Sequence, residues 1–270
     1  MSKILIALAF IAAIFAGREW LNRKRRRDLL AMPLDDQERK NLGDRFPLYE
    51  KLPADLRQKL DGKINLFLDQ VTFHGMDEIE VTDEMRLLIA AQACLLIVNK
   101  DDRWYDDLRS ILVYPGAFKS EQTKRDGAIE TKSQITRIGE SWQSGPVVLS
   151  WAHAKRGAFI DDDGHNVVLH EFAHQLDDQT GDTSGAPILD DAQNAEEWAT
   201  VFREADARLK ADIAAGRKPF LDPYGATAYA EFFAVAVEVF FERPKDMQRE
   251  EARLYDQLVQ YFELDPASWQ

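Results

Sequence analysis

Residues 166–177 read NVVLHEFAHQLD, and this stretch places requirements on the fold of the rest of the chain. Its apolar residues recur at helical spacing, which predicts a buried helix over Asn166–Asp178. His170 and His174 lie four residues apart, so they project from one face of that helix about one turn apart. Burying two imidazoles among apolar neighbours is costly unless they meet a partner. The helix therefore predicts a partner for both histidines from elsewhere in the chain.

The same stretch matches the pattern His-Glu-x-x-His at His170, Glu171 and His174. Two imidazoles at this spacing can hold one metal ion, and Glu171 lies beside them, within reach of a water on the metal. Zinc lowers the pKa of such a water, and the carboxylate takes its proton as it attacks a carbonyl carbon. We therefore expect one zinc ion per chain, with the two histidines as ligands and Glu171 as the general base of a peptidase.

A zinc site needs a third protein ligand while one position is kept for water. No histidine follows His174, so a carboxylate from a later helix is the natural candidate. The predicted helix Ala228–Phe241 reads AYAEFFAVAVEVFF and carries two acids, Glu231 and Glu238, among apolar residues. A buried carboxylate needs a cation, which predicts Glu231 as the third metal ligand. Glu238, seven residues later on roughly the same face, can hydrogen-bond a ligating histidine.

Three further side chains leave alternatives open. Asp177, three residues after His174, can orient an imidazole or cap the helix. Tyr224 precedes the Glu231 helix, where its phenol can donate a hydrogen bond to a developing oxyanion or simply pack as a loop aromatic. His165, just before the first helix, can hydrogen-bond its end.

The other histidines, His74 and His153, have no spacing typical of metal ligands and are expected on the surface or in the core. Cys94, the only cysteine, is expected to be a buried small hydrophobe, and nothing points to an oxidising compartment.

Periodicity and composition indicate an α+β fold, mainly helical, with a small sheet. Helices are also predicted over Leu56–Val71, Thr82–Ile97, Ala195–Ala214 and Glu250–Tyr261. Short strands are predicted over Ile111–Tyr114 and Pro146–Trp151, and Thr123–Ile138 is predicted to be a hairpin or a loop.

The charge of the chain is unevenly distributed. Its formal net charge is −13, yet residues 1–27 hold seven cations against one glutamate, a net charge of +6. An acidic body argues against direct nucleic-acid binding, because phosphate contacts need clustered cations. The cations instead follow an apolar run, which favours a membrane phospholipid partner.

Ile4–Gly17 reads ILIALAFIAAIFAG, fourteen residues without a charge. As a helix this run spans roughly 21 Å, short of a hydrocarbon core of about 30 Å. A membrane anchor, a cleaved signal peptide and a buried or peripheral helix remain as interpretations. We expect residues 1–27 to be a hydrophobic anchor with a basic flank, 28–48 a connector and 49–270 the metallopeptidase domain. By the positive-inside rule, the body would lie in the cytoplasm against the inner membrane.

The sequence NVVLHEFAHQLD, followed by Tyr224-x6-Glu231-Phe232-Phe233-Ala234-Val235, resembles the Mlc titration factor A family, the glucose-regulated zinc metallopeptidases of bacteria. The likeness runs from about residue 45 to 265 and includes ILVYPGAF at 111–118 and PVVLSW at 146–151.

The resemblance implies a zincin-like fold, zinc on His170, His174 and Glu231, Glu171 as catalytic base and Tyr224 as a transition-state helper. The arrangement is also similar to that of the anthrax lethal factor catalytic domain. The resemblance further implies aminopeptidase-type cleavage of peptides and, for some members, binding of the glucose repressor Mlc, which relieves repression of sugar-phosphotransferase genes.

Two classes of function compete. The first is a zinc-dependent peptidase, and the second is a regulatory protein-binding module with a vestigial or structural zinc site. Glu171 favours the enzyme, because a purely structural site has no need of a base beside a water. The natural substrate, the choice between exo- and endopeptidase action, and the oligomeric state are not encoded in any motif.

Overall fold

The computed structural model describes residues 2–100, 103–126, 129–137, 139–140, 145–181, 184–189 and 194–269, with the side chains of these ranges apart from residues 2–9, 119–137, 140 and 180. The described residues form helices and two small sheets. The helices are α1 (Ser2–Ala31), α2 (Asp36–Arg45), α3 (Pro47–Lys51), α4 (Ala54–Gln70), α5 (Asp83–Leu95), α6 (Trp151–Phe159), α7 (Val167–Asp177), α8 (Ala195–Ala214), α9 (Tyr229–Glu242), α10 (Pro244–Glu250) and α11 (Ala252–Phe262). The strands are β1 (Thr72–Gly75), β2 (Ser110–Tyr114), β3 (Phe118–Asp126), β4 (Ile129–Arg137), β5 (Gly139–Glu140) and β6 (Val147–Ser150).

The larger sheet has the strand order β1-β2-β6-β5. Strands β1, β2 and β6 run parallel, whereas β5 pairs antiparallel with β6, opposing Gly139 to Leu149. Parallel neighbours need a crossover connection, which α5 provides between β1 and β2. Strand β5 therefore lies at an edge of the sheet. Strands β3 and β4 form a separate antiparallel hairpin between β2 and β5 in the chain.

Helix α7 is held at its start and along its apolar face. The side chain of Asn166 accepts hydrogen bonds from the backbone N–H groups of Val168 and Leu169, which caps the helix. Phe172, on the same helix, is fully buried, and its ring centroid lies 4.9 Å from that of Tyr105 and 5.8 Å from that of Phe67. Burial of the apolar face fixes the direction in which the opposite face of α7 points.

The α+β, mainly helical fold predicted from the sequence is confirmed. Helix α8 has the predicted bounds, α4, α5, α7, α9 and α11 agree within a few residues, and the segment Thr123–Ile138 lies mostly in a hairpin. Ile138 itself lies outside the described residues. Cys94 is a free, buried thiol, as expected.

The sequence patterns missed several short elements. Strand β1 contains one glycine and side chains that are mostly exposed, so it lacks the alternation of buried and exposed residues that reveals a strand. Helix α6 begins at Trp151, whereas the sequence predicts this residue as the end of the strand Pro146–Trp151. Residues 28–48, expected as a connector, contain helix α2 and bury Leu34 and Phe46.

Helix α1 extends beyond the apolar run of the sequence and joins the body only near its end. Side chains from Phe10 to Arg25 are exposed, whereas Leu29 and Leu30 pack against the hydrophobic core. Among the residues that the structure describes, no helix has both the length and the apolar character needed to cross a membrane. A spanning helix, one of the forms expected for the anchor, is therefore not found.

Candidate metal centre

The three side chains predicted as metal ligands lie together. His170 Nε2 is 2.9 Å and His174 Nε2 is 3.3 Å from the same oxygen, Glu231 Oε2. One ligand atom from each of these residues lies within 4.8 Å of the other two. Two imidazoles and one carboxylate at these separations can converge on one metal ion.

This meeting results from the packing of two helices. Helix α7 presents both histidines, and α9 presents Glu231 from its first turn. The neighbours Phe232 and Phe233 are fully buried, which anchors the start of α9 in the core. The Glu231 side chain is thereby held at the edge of the core, facing α7.

Glu238 holds the outer nitrogen of one histidine. His170 Nδ1 lies 2.8 Å from Glu238 Oε1, and the backbone N–H of Asn166 donates to Glu238 Oε2 at 2.5 Å. Glu238 thus joins α9 both to an imidazole and to the residue that caps α7. This agrees with the expectation that Glu238 hydrogen-bonds a histidine of the pair. A hydrogen bond at Nδ1 leaves Nε2 as the nitrogen that faces Glu231.

Glu242 continues the row of acids on α9, and it was not identified from the sequence. Its Oε2 accepts hydrogen bonds from the backbone N–H groups of Gly164 at 2.9 Å and His165 at 3.0 Å. Together Glu238 and Glu242 receive three consecutive N–H groups at the start of α7. The signal was present in the sequence, since Glu242 lies four residues after Glu238 and one turn along the same helix.

Burial and local charge separate the carboxyl groups. Burial opposes ionisation of Glu231, but hydrogen bonds from His170 and His174 outweigh it and hold the pKa of Glu231 well below its ordinary value. Burial lowers the affinity of His170 for a proton, yet its hydrogen bonds to Glu231 and Glu238 outweigh that and raise its pKa well above the usual range. A metal ion competes with that proton for the same nitrogen.

Glu171 is 5% exposed and is therefore shielded from bulk solvent. Burial raises the pKa of Glu171 to about 7, although the neighbouring His170 and His174 oppose the rise. A carboxyl group that titrates near neutral pH is suited to accept and return a proton.

Tyr224 lies beside the histidines. It belongs to the short 3-10 helix Pro223–Ala226, and its backbone N–H donates to the side chain of Asp222 at 2.7 Å. Its ring centroid is 6.0 Å from that of His170, and the residue is 52% exposed. Tyr224 thus lies at the edge of the site, and its role stays a prediction.

Asp177 holds residues beyond the end of α7. Its carboxylate accepts hydrogen bonds from the backbone N–H groups of Gly185 at 2.6 Å and Ala186 at 2.8 Å. His174 Nδ1 is buried and has no hydrogen-bond partner among the described residues. Asp177 therefore fastens the segment that follows α7, and it does not orient the imidazole of His174.

The remaining histidines stand apart from this group. His153 Nδ1 lies 2.8 Å from Ser150 Oγ, and the His165 imidazole lies 3.7 Å from a carboxylate oxygen of Asp222. His74 is on β1. Within the described ranges, the group of His170, His174 and Glu231 includes none of these three.

Comparison with known proteins places this geometry in a family. The chain matches the family described as glucose-regulated metallo-peptidase M90 over residues 20–263. A protein of Synechocystis sp. designated slr2042 is 40% identical over 263 residues, covering 97% of this chain and 95% of that protein. Proteins called Mlc titration factor A are 28% identical in Escherichia fergusonii, covering 82% of this chain and 84% of the relative, and 30% identical in Pectobacterium atrosepticum, covering 83% and 87%. These matches confirm the resemblance found in the motifs.

The buried carboxyl of Glu242 predicts a pH dependence of stability. Burial, reinforced by the negative charges of Glu238 and Asp163, raises the pKa of Glu242 to about 9 from an ordinary value of 4.5. Below pH 4.5 the group is protonated in both states, and between pH 4.5 and 9 only the unfolded chain ionises. Its contribution to the free energy of unfolding is therefore lost as pH rises, by up to about 1.4 kcal/mol per pH unit.

Replacing Glu242 by Gln removes this titration. We expect the stability of Glu242→Gln, measured by urea unfolding at pH 6 to 8, to improve steadily relative to wild type as pH rises. Exposed Glu196→Gln controls for the loss of one negative charge. Parallel pH profiles for wild type and Glu242→Gln would contradict the assignment.

Proposed function

The chain belongs to the glucose-regulated metallo-peptidase M90 family, and we propose that it is a zinc-dependent peptidase with His170, His174 and Glu231 as the metal ligands. The observation that carries this proposal is the convergence of the two imidazoles on one carboxylate oxygen, with Glu171 buried alongside. Family membership supports a metallopeptidase-type role. The local geometry supports the assignment of individual residues.

The donor set suits zinc, which is commonly held by imidazole nitrogens and one carboxylate in catalytic sites. Hydrogen bonds from His170 and His174 hold the pKa of Glu231 below its ordinary value, and a zinc ion would take the place of those protons. Glu238, bonded to Nδ1 of His170, holds the tautomer whose Nε2 lone pair is available. A zinc ion supplies Lewis acidity that polarises a carbonyl and activates a water for attack.

Glu171 moves the proton in this proposal. Its buried carboxylate accepts a proton from the attacking water, then returns it to the departing amine of the cleaved peptide bond. A pKa of about 7 lets one group perform both transfers near neutral pH. Tyr224, beside His170, donates a hydrogen bond from its phenolic hydroxyl to the oxyanion that forms on the scissile carbonyl. Aminopeptidase-type cleavage is the finer proposal, and digestion of peptides with free and acetylated amino termini tests it.

Zinc content and turnover test the proposal together. Wild type is expected to carry about one zinc per chain, and the His170→Ala, His174→Ala double variant is expected to carry none. Glu171→Gln is nearly isosteric but cannot accept a proton, so it should retain zinc and lose about a hundredfold or more in turnover. Elemental analysis and a peptide-library digest provide the two measurements.

The controls for this test identify which assignment fails. Equal metal content in wild type and the double histidine variant would remove the ligand assignment. Near-normal cleavage by folded, zinc-loaded Glu171→Gln would remove the general base. Loss of zinc in Glu171→Gln would make Glu171 a ligand.

Tyr224→Phe separates help to the transition state from packing. The variant keeps the aromatic ring and removes only the hydroxyl. Loss of one oxyanion donor typically costs about a hundred- to a thousandfold in rate, so kcat should fall while KM and zinc content stay nearly unchanged. Single-turnover kinetics is the preferred measurement, because product release can hide a chemical effect. A rate within about twofold of wild type would make Tyr224 a packing residue.

A regulatory role is the second candidate, and the names of the relatives favour it. Several of them are called Mlc titration factor A. In this alternative the chain binds a repressor of the Mlc type and the metal is structural or vestigial. A pull-down with such a repressor tests binding. In the regulatory candidate, Glu171→Gln should bind the repressor as well as wild type does. Binding that survives without any detectable peptide cleavage by wild type favours the regulator.

Helix α1 supports attachment to a lipid surface, with the catalytic body on the cytoplasmic side. Phe10, Phe15 and Trp20 are 69%, 67% and 59% exposed, and the basic run Arg23–Arg27 follows them. An apolar run that is too short to span can bury its side chains from one face of a bilayer, and each cation near an anionic surface adds about 1 kcal/mol.

Vesicle flotation tests this attachment. The full chain is expected to float with phosphatidylglycerol vesicles, more weakly with phosphatidylcholine vesicles, and less as salt is raised. Deletion of residues 2–21 should release it, because the exposed apolar side chains are then lost. A full-length chain that stays at the bottom of the gradient with anionic vesicles would contradict the proposal.

A further inference from the structure

Strand β5 touches the carboxylate of Glu171. A β-carbon built on Gly139, the first residue of β5, would lie 2.2 Å from Glu171 Oε1 and 2.7 Å from both Cδ and Cγ of the same side chain. These are the three nearest atoms to that position. The backbone of Gly139 is thus in direct contact with the length of the Glu171 side chain.

Space, rather than backbone conformation, explains the glycine. The glycines with a positive φ among the described residues are Gly164, Gly181, Gly185 and Gly216. Gly139 is not one of them, so its backbone angles do not exclude a larger residue. What excludes a β-carbon at this position is the carboxylate of Glu171.

The strand has little freedom to retreat. Gly139 is buried and pairs across the ladder with Leu149, which is fully buried in the sheet. Glu171 projects from α7, whose apolar face is fixed by Phe172. Between a paired strand and a flexible side chain, the side chain yields first.

We propose that Gly139 is a positioning residue: by lacking a side chain, it creates the slot in which the Glu171 carboxylate is held. The inference rests on the proposed role of Glu171 as the general base. A β-carbon at Gly139 would displace the Glu171 side chain from Cγ to the carboxylate, and none of its three nearest atoms belongs to a proposed metal ligand. The displaced atoms include the carboxylate that must accept the proton of the attacking water, so we expect catalysis to slow.

Gly139→Ala tests the proposal, with Gly116→Ala as the matched control. A β-carbon on Gly116 would meet no atom within 4 Å. Displacement of a catalytic group by about 1 Å can cost on the order of a hundredfold in rate. We expect Gly139→Ala to lose about that much in kcat and to keep its zinc, while its urea midpoint falls because a buried side chain must be displaced. Gly116→Ala should retain all three properties.

A double-mutant cycle gives a readout that does not depend on activity. In the Glu171→Ala background the steric conflict is absent, so Gly139→Ala should lower the urea midpoint by less than it does in wild type.

Two outcomes would overturn the proposal. The first is a kcat of Gly139→Ala within about threefold of wild type. The second is loss of zinc or of folding that is equally severe in the Glu171→Ala background, which would make Gly139 a structural residue of the strand alone. If wild type cleaves no peptide, the proposed function fails, and the stability cycle still decides whether Gly139 and Glu171 are coupled.

Discussion

The contact between α7 and α9 organises this protein. Two imidazoles and a carboxylate are buried together at this contact. Their mutual attraction offsets the free-energy cost of desolvation, which would be larger for each group buried alone. His170 and His174 approach the same oxygen of Glu231, at 2.9 and 3.3 Å. The two helices must therefore pack at one rotation and one register, and the rest of the core is built to hold that arrangement.

The row of acids on α9 extends this constraint beyond the histidines. Glu231, Glu238 and Glu242 all face α7, and each meets a different kind of partner. Glu231 meets two imidazoles, Glu238 meets one imidazole and one backbone N–H, and Glu242 meets two backbone N–H groups. Helix α9 thus binds both the backbone N–H groups that precede α7 and the imidazoles that project from α7.

Similar carboxyl groups acquire different proton affinities in this small volume. The pKa of Glu231 is lowered because hydrogen bonds from the imidazoles outweigh burial, whereas burial raises that of Glu171 to about 7 and that of Glu242 to about 9. The direction follows from whether a cationic partner is in contact. An ionised group, a group that titrates near neutrality and a protonated group can therefore coexist on two adjacent helices.

The sequence alone determined the features that depend on local spacing. Four residues make one helical turn, so the pairing of His170 with His174 could be read directly, and the apolar run around Glu231 marked a carboxylate that needed a cation. Helix α8 and the main strands were also evident from periodicity. Tertiary structure decided what depends on residues far apart in the chain. It brought Glu242 to Gly164, assigned Asp177 to Gly185 and Ala186, and laid Gly139 against Glu171. No periodicity encodes these contacts, because each one exists only after separate elements have packed and their backbone groups have found partners.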